Sequence, residues 1–329
     1  MSTTGVLSIM ILSMNVKTEV LHFLLDNPDE FLSGAMLSER LGCSRMAVCK
    51  AVASLSKDGY SIESSKRLGY KLKAGSDVMG QESLSKAFSG SGVDVYFFKD
   101  IDSTNKKAKE LSLNGAKTPF VVVAESQSCG RGRLGRSFSS PVGGLYFSLV
   151  LSGKEIKSPD LVTTSASLAV SRALERLSGI KSEIKWVNDL YIDGKKAVGI
   201  LTEGLVNMEE GGLSEVVIGI GVNLNVNLDQ FDESLRSIAT SFYPKANAPF
   251  SRADAIAECV KEIIKIQKED FLDEYRKKCF ILGKPLVVLA KGEKKEAVAM
   301  SVDDLAHLVV KYKDGSTEAL SSGEVSLKL

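Results

Sequence analysis

The sequence predicts an α/β (α+β) multidomain protein: an N-terminal winged helix-turn-helix, a central mixed sheet and a small C-terminal β-barrel. Three observations predict this architecture. Short amphipathic helices precede a basic hairpin in the first eighty residues, apolar strands alternate with helices from Val93, and short alternating strands follow Leu282. The length of 329 residues agrees with two or three domains.

Composition excludes several classes of function. The net charge of +1 gives no overall attraction to nucleic acid or membrane, so any DNA binding must come from a local patch. Five scattered cysteines without a C-x-x-C pair disfavour a disulfide framework or a zinc site and favour a reducing cytoplasm. The two histidines, His22 and His307, are poorly placed for a metallohydrolase or a Ser-His-Asp hydrolase.

Residues 1–14 are predicted to be a disordered N-terminal extension. Its apolar run, 6–14, is too short to span a bilayer and lacks the basic segment and cleavage site of a signal peptide. The sequence leaves open whether translation starts at Met1 or Met14.

Residues 15–74 are predicted to form the winged helix-turn-helix. Apolar residues at helical spacing over 16–25 predict a first helix, and a second follows Ser33-Gly34. Ser44 is typical of an N-cap for a third helix, 45–57, so the helix-turn-helix runs from about Gly34 to Ala53. Alternating runs on either side of Lys66 and Arg67 predict a hairpin, the wing.

Cations occur on both elements that would face a duplex, the third helix and the wing. This favours DNA binding over a winged helix used only for protein contacts. The candidate DNA-binding residues are Ser44, Arg45, Lys50, Lys66 and Arg67. Residues 75–92, rich in Gly and Ser, are predicted to be a linker.

Residues 93–281 are predicted to form the central domain. Strands are predicted at 95–98, 121–125 and 145–151, and a long helix follows Ser158. Later apolar runs separated by turn signals, such as Asp193-Gly194, predict antiparallel hairpins. The sheet is therefore expected to be mixed rather than doubly wound.

The most informative segment is Gly130-Arg-Gly-Arg-Leu-Gly-Arg136, directly after an apolar strand. Glycine permits close approach of the backbone, and arginine is shaped for phosphate or carboxylate. The segment satisfies G-x-G-x-x-G, but the Ser/Gly/Pro run after it cannot sustain the helix that a dinucleotide-binding fold requires. A compact polyanion is the predicted ligand, and a solvated basic loop is the alternative.

Two further patterns refine the predicted chemistry. Lys185-Trp-Val-Asn-Asp189 places a cation beside the single tryptophan, although such a pair alone is more often a surface lysine next to a core aromatic. Gly199, Gly219 and Gly221 lie inside predicted strands, which favours a flat ligand lying across the sheet. Cations directed at a polyanion, without paired carboxylates, favour phosphoryl or nucleotidyl chemistry.

Four motifs in this order resemble those of biotin protein ligases: the Gly130 loop, the Lys185 segment, Gly199-Ile-Leu-Thr-Glu203 and Gly219-Ile-Gly-Val-Asn223. With the winged helix in front, the chain is similar to the bifunctional ligase-repressor type from about residue 15 to its end. The resemblance implies a class II synthetase-like central domain and an SH3-like domain over 282–329. Val187, where many relatives carry proline, is one departure.

The resemblance also implies the roles of individual residues. The implied catalytic residues are Arg131, Arg133 and Lys185. The implied biotin-binding residues are Ser103, Thr104, Asn105, Gln127, Arg131, Gly132, Arg133, Lys185 and Gly199. The implied ATP- or adenylate-binding residues are Gly130, Arg133, Arg136, Phe138 (where relatives often have tryptophan), Lys185 and Asn223.

The implied activity is that of an ATP-dependent, AMP-forming biotin–[biotin carboxyl carrier protein] ligase that is also a biotin-responsive repressor. Its expected ligands are biotin, ATP and Mg²⁺, the metal arriving on ATP rather than in a protein site. The expected partners are a biotin carboxyl carrier protein, operator DNA and a second copy of the chain when the adenylate is bound, with no membrane. The alternatives are a ligand-sensing repressor without catalysis and a lipoate-protein ligase.

Overall fold

The computed structural model describes residues 16–73, 77–207, 212–290, 293–321 and 324–327, in two compact units that divide between Val78 and Met79. The predicted extension, 1–14, lies outside the described residues. No described helix has both the length and the apolar character needed to cross a membrane.

The first unit is a three-helix cluster followed by a hairpin. Its elements are α1 (Val16–Asp26), α2 (Gly34–Arg40), α3 (Arg45–Lys57), β1 (Ile62–Ser65) and β2 (Gly69–Leu72). The backbone N–H of Ala47 donates to Ser44 Oγ at 3.1 Å, which gives α3 the N-cap that the sequence predicts. Val48, Val52 and Leu55 form the buried stripe of α3. The helix-turn-helix and the hairpin are both confirmed.

The second unit is built on a seven-stranded mixed sheet. Its helices are α4 (Gln81–Ala87), α5 (Thr104–Leu113), α6 (Val162–Ser178), α7 (Glu233–Arg236), α8 (Arg252–Ile266) and α9 (Leu272–Lys278). The strands of the large sheet are β3 (Asp94–Ile101), β4 (Phe120–Gln127), β5 (Leu145–Ser152), β6 (Glu183–Lys185), β7 (Asp189–Ile192), β8 (Lys195–Asn207) and β9 (Gly212–Val222).

The strand order is β3-β4-β5-β9-β8-β7-β6, and only the described pair β3–β4 is parallel. A mixed sheet rich in hairpins is therefore confirmed. Strand β5 is buried along almost its whole length, which accounts for its nearly continuous apolar sequence. Helix α6 begins after a short 3₁₀ turn, Pro159–Leu161, and ends at Gly179, whose φ of 71° is the left-handed geometry that favours glycine.

A second sheet closes the chain. Its strands are β10 (Pro285–Ala290), β11 (Glu293–Val302), β12 (Leu308–Tyr312), β13 (Thr317–Leu320) and β14 (Glu324–Leu327), in the order β13-β12-β11-β10-β14 and all antiparallel. The sheet agrees with the predicted strands, whereas its closure into an SH3-like barrel stays a prediction. Leu286, Val288 and Val310 belong to the same buried core as the large sheet, so packing continues across the predicted boundary at 281/282.

The prediction that 75–92 is a linker is wrong for its described part from Met79 onward. Helix α4 lies inside this segment, and Leu84 and Phe88 are buried in the core of the second unit. Gln81 also donates to the backbone of Val95 at 3.1 Å. The Gly- and Ser-rich composition suggested an unpacked segment, but two apolar residues four apart are enough to bind a short helix to the core.

An ion cluster centred on Arg172 joins α6 to α8, α9 and the turn between those two helices. Arg172 donates to Glu262 at 3.3 Å, to Glu269 at 2.7 Å and to Glu274 at 2.5 Å. The side chain of Glu262 is only 6% exposed. Hydrogen bonds from Arg172 lower the pKa of both Glu269 and Glu274. The guanidinium thus compensates carboxylates from α8 and α9 together.

We expect Arg172→Met to lower the free energy of unfolding by about 2 kcal/mol at neutral pH, because three carboxylates, the buried Glu262 among them, lose a shared cationic partner. A carboxyl group whose pKa is lowered in the folded protein stabilises the fold at any pH above its ordinary pKa. That stabilisation is lost as the pH falls through the lowered pKa. The difference in free energy of unfolding between Arg172→Met and the unmodified chain, measured by urea unfolding, should therefore become smaller in acid.

The matched control is Lys261→Met, which removes an exposed pair with Glu258 and should cost under about 0.5 kcal/mol. An Arg172→Met penalty that did not change between neutral and acidic pH would contradict the assignment of this cluster as the cause.

Candidate active site and nucleic-acid interface

The loop after β4 forms a tight backbone turn. Gly132 N–H donates to the Arg136 carbonyl at 2.7 Å, and Phe138 N–H donates to the Gly130 carbonyl at 2.8 Å. Between them lies a three-residue 3₁₀ turn, Arg133–Gly135, and the chain then continues without an α-helix to β5. The loop thus lacks the helix on which a dinucleotide-binding fold depends.

The loop covers a cavity above the large sheet. Eleven of the predicted ligand residues line it: Ser103, Thr104, Asn105, Gln127, Arg131, Gly132, Arg133, Arg136, Phe138, Lys185 and Gly199. They come from β4, α5, β6, β8 and the loop, segments separated by up to about a hundred residues in sequence. The structure therefore brings together in one cavity side chains that are far apart in the sequence.

Two predicted residues lie elsewhere. Gly130 is buried and lines a neighbouring pocket with Cys129 and Ser140. Asn223, at the end of β9, is buried and donates to the Thr240 carbonyl at 2.9 Å. Its Oδ1 has no hydrogen-bond partner among the described residues. The adenylate-binding roles of both residues stay predictions.

Charge on the cavity wall is strongly one-sided. Five cations line it: Arg131, Arg133, Arg136, Lys185 and Lys196. Asp189 is the one carboxylate among the described lining residues, and it pairs with Lys196 at 2.7 Å. A wall of this kind attracts a compact polyanion such as a nucleotide phosphate.

The segment between β6 and β7 is held from three sides. Trp186 Nε1 donates to the Ala306 carbonyl at 2.9 Å, and Ser167 and Tyr275 donate to the Val187 carbonyl at 3.1 and 3.2 Å. The peptide bond between Trp186 and Val187 is cis. These contacts fix the position of Lys185, one residue earlier.

Aromatic rings lie next to two of the cavity lysines. Lys185 Nζ is 5.8 Å from the Tyr191 ring centroid, and Lys196 Nζ is 6.0 Å from that of Phe138. Burial, with Asp189 nearby, raises the pKa of Tyr191 to about 12, so its ring stays neutral beside the lysine. Such rings add favourable cation–π contact without adding counter-charge.

The sheet beneath Phe138 has no room for side chains. A Cβ at Gly221 would lie 2.5 Å from the Phe138 ring, and one at Gly199 would lie 3.0 Å from it. The glycines therefore let a flat aromatic group lie directly on the backbone of β8 and β9. Phe138 itself occupies that place in this structure.

Sequence reasoning missed Lys196 and Val325. Lys196 and Gly199 would point to opposite faces of a regular strand, but a register shift in the β7–β8 pairing lies between Leu190 and Tyr191 and inserts one residue of β8. Val325 reaches the cavity from the second sheet. Asn188, quoted in the motif but given no role, accepts from Arg133 at 3.2 Å.

In the first unit, the predicted DNA-binding side chains are exposed. Arg45 and Lys50 lie on the open face of α3, together with Met46 and Cys49, and Lys66 and Arg67 lie in the turn of the hairpin. Ser44 caps α3. A helix with an exposed basic N-terminus and a basic hairpin tip is the arrangement that a major groove and its phosphates require.

Comparison with known proteins agrees with both units. Residues 97–223 match the Biotin/lipoate A/B protein ligase family, and residues 17–71 match an HTH domain. Over 71% of its length, the chain resembles 98% of the biotin protein ligase from Aquifex aeolicus, solved in complex with biotin and ATP. The TM-score is 0.61 and the sequence identity 28%.

Fold and cavity thus define a protein ligase of the biotin/lipoate class that carries a helix-turn-helix domain. The bifunctional ligase/repressor BirA of Bacillus subtilis is 40% identical over 234 residues, which are 69% of this chain and 71% of that protein. BirA of Escherichia coli K12 is 25% identical over 91% of this chain and 94% of its own. The chain belongs to this family of bifunctional ligase/repressors.

We expect the cavity to bind inorganic pyrophosphate, with an affinity that falls as salt is raised, because screening weakens the attraction of the exposed cations. Trp186, the single tryptophan, lines the cavity, so its fluorescence provides the binding signal. Lys196→Gln should weaken binding about fivefold, the effect of roughly 1 kcal/mol from one partly buried charge.

Lys195→Gln is the matched control, because its exposed side chain does not line the cavity. Equal losses in the two variants would show that only overall charge matters and would remove Lys196 from the site.

Proposed function

We propose that this chain activates biotin with ATP to form biotinyl-5′-AMP and then transfers biotin to a lysine of a biotin carboxyl carrier protein. The observation that carries the proposal is the convergence of Arg131, Arg133 and Lys185 on one cavity, which the polar side chains of Thr104 and Gln127 also line. The family to which the chain belongs supports the same activity.

The polar wall suits the ring end of biotin. Ser103, Thr104 and Asn105 stand at the start of α5, and Gln127 accepts from the Thr104 N–H at 2.9 Å. These side chains offer both donors and acceptors to a ureido ring, which also carries both.

Charge stabilisation drives the first step. One oxygen of the biotin carboxylate attacks the α-phosphorus, the bond to the bridging oxygen breaks, and pyrophosphate leaves. Because two anions meet, Arg131, Arg133 and Lys185 offset their repulsion and stabilise the charge that develops in the transition state. Arg133 is oriented for this by its hydrogen bond to Asn188.

The Gly/Arg loop would cover the adenylate. Gly132, Arg133 and Arg136 lie on the cavity side of the loop, and Gly130 anchors its base through the Phe138 N–H. We assign Phe138 and Asn223 to the adenine side. A loop that excludes water protects the mixed anhydride from hydrolysis until the acceptor arrives.

Magnesium fits this site as a companion of ATP. Among the described residues, no three His, Cys, Asp or Glu side chains converge as a metal site. Bound to the triphosphate, Mg²⁺ would shield the charge of the phosphates. The chain's own contribution is the set of cations that hold the phosphates in place.

In the second step the amine of the carrier lysine attacks the adenylate carbonyl, an amide forms, and AMP leaves with loss of one proton from nitrogen. The electrophile is already activated, so no strong protein base is required. The scarcity of histidine in the chain agrees with this chemistry.

We further propose that the first unit binds operator DNA and that the adenylate-bound chain represses transcription as a homodimer. The exposed cations of α3 and the hairpin support the DNA assignment. All five cysteines are free thiols, which supports a reducing, cytoplasmic location.

We expect Lys185→Ala to reduce biotin-dependent ATP–pyrophosphate exchange by about a hundredfold or more, because a preorganised cation is lost from the reacting centre. Mass spectrometry of a biotin-carrier domain incubated with enzyme, biotin and ATP should show the biotin mass gain only with the unmodified enzyme. Lys181→Ala, a nearby exposed lysine, is the control and should retain activity.

Lipoate and catalysis-free sensing remain the competing functions. Lipoate replacing biotin as the transferred acid would establish a lipoate ligase, and a folded chain that forms neither adenylate nor labelled carrier would establish a sensor. Near-normal exchange by Lys185→Ala would contradict the site assignment itself.

For DNA, we expect Lys50→Gln and Arg67→Gln each to weaken binding of duplex DNA and to reduce the slope of log affinity against log salt by about one, since each phosphate contact releases about one counterion. Fluorescence anisotropy with a labelled duplex provides the measurement. Lys294→Gln, whose exposed side chain lies near the start of β11, should leave both quantities unchanged; a loss of the same size there would count against the interface.

A further inference from the structure

Glu203 lies behind the polar wall of the cavity, on β8. Its carboxylate accepts from Asn105 Nδ2 at 2.8 Å and from Lys109 Nζ at 2.5 Å. Asn105 lines the cavity, whereas Glu203 and Lys109 do not. The carboxylate therefore touches the ligand site through one side chain, that of Asn105.

The orientation of the Asn105 carboxamide follows from two acceptors on β8, the Glu203 carboxylate at 2.8 Å and the more distant Leu201 carbonyl at 3.4 Å. A carboxylate can only accept, so the amide nitrogen must face Glu203 and the amide oxygen must face away. Oδ1 then lies 2.6 Å from Ser148 Oγ, a hydroxyl that is fully buried. Ser148 donates its single hydrogen to Oδ1, because an amide oxygen cannot donate.

The direction of the Thr104 hydroxyl hydrogen follows from the same hydrogen-bond network. Thr104 Oγ1 lies 2.8 Å from Ser148 Oγ and 3.1 Å from Gln127 Oε1. With the Ser148 hydrogen already used, Thr104 directs its own hydrogen to one of these two oxygens. Asn105 and Thr104 therefore both present acceptor oxygens on this side of the wall.

The carboxamide is also confined sterically. A Cβ at Gly219, which lines the cavity, would lie 2.0 Å from Asn105 Oδ1. Partial burial raises the pKa of Glu203, but the hydrogen bonds from Lys109 and Asn105 and the nearby Arg131 charge outweigh burial and lower it overall. Glu203 is thus an ionised, acceptor-only group at neutral pH.

We propose that Glu203 is a positioning residue: its carboxylate holds the Asn105 carboxamide with the oxygen beside Gly219, so that the wall accepts a hydrogen bond from a ring N–H of the ligand. The proposal rests on the proposed function, in which that ring is the ureido ring of biotin.

The test is Glu203→Gln in the full-length chain. Lys109 would retain the carboxamide oxygen of the new side chain and turn its NH₂ toward Asn105, which reverses the Asn105 amide and places a donor where the ligand also has a donor. We expect the KM for biotin in pyrophosphate exchange to rise about tenfold, as for one lost hydrogen bond, with kcat and the KM for ATP within about twofold.

Lys109→Met is the matched control, since it removes the same ion pair but leaves the carboxylate as acceptor. Its KM for biotin should change by less than about threefold. Equal effects of the two variants, or no effect of Glu203→Gln, would overturn the proposal.

A second readout isolates the N–H group. With biotin methylated on one or the other ureido nitrogen, the ratio of KM between Glu203→Gln and the unmodified chain should fall to near one for one of the two analogues. A ratio that stays near ten for both would show a general structural defect and overturn the proposal.

Gly219→Ala displaces the same carboxamide without altering Glu203, so it should give the same selective rise in the KM for biotin and keeps the test available if Glu203→Gln does not fold. An unchanged KM there would overturn the proposal. Failure of the proposed function is distinct, because then the unmodified chain itself would show no biotin-dependent exchange.

Discussion

Repulsion among like charges is the constraint on which the second unit depends. Five cations face one cavity with a single described carboxylate among them, and isolated side chains of that charge would swing apart into water. Lys185 and Lys196 lie on strands of the large sheet, and backbone hydrogen bonds within the loop after β4 hold the three arginines beside them. Strand β5 is buried along most of its length, and α6 and α8 pack behind the sheet. The fold thus holds like charges close together, and a polyanionic ligand would reduce the repulsion among them.

Charge serves the opposite purpose around Arg172. There Arg172 meets three carboxylates from α8, α9 and the turn between them. A cluster in which one cation meets several carboxylates holds helices together, whereas a cavity lined mostly by cations attracts an anionic ligand. The ratio of carboxylates to cations, rather than the number of charges, distinguishes the cluster from the cavity.

Local patterns predicted much of this architecture, and long-range geometry accounts for what they missed. The N-cap at Ser44 and the hairpin around Lys66 follow from residues close in sequence, and the structure has both. The cations of the loop were recognised because three arginines alternate with glycines. Lys196 was missed because side chains of a regular strand alternate between its two faces, and a bulge in β8 shifts that alternation by one residue. The sequence pattern does not show where such a bulge lies. Helix α4 escaped because its stability comes from the core that it packs against.

The hydrogen bond from Trp186 to the Ala306 carbonyl has a consequence for the design of shorter proteins. The indole belongs to the segment that positions Lys185 and directly follows that residue, whereas its acceptor belongs to a turn between strands of the second sheet. A chain ended before residue 285 would keep every cation of the cavity but leave a buried donor without its acceptor and remove Val325 from the wall. The segment around Lys185 is therefore completed by residues of the second sheet, and a shorter chain that keeps this cavity has to include them.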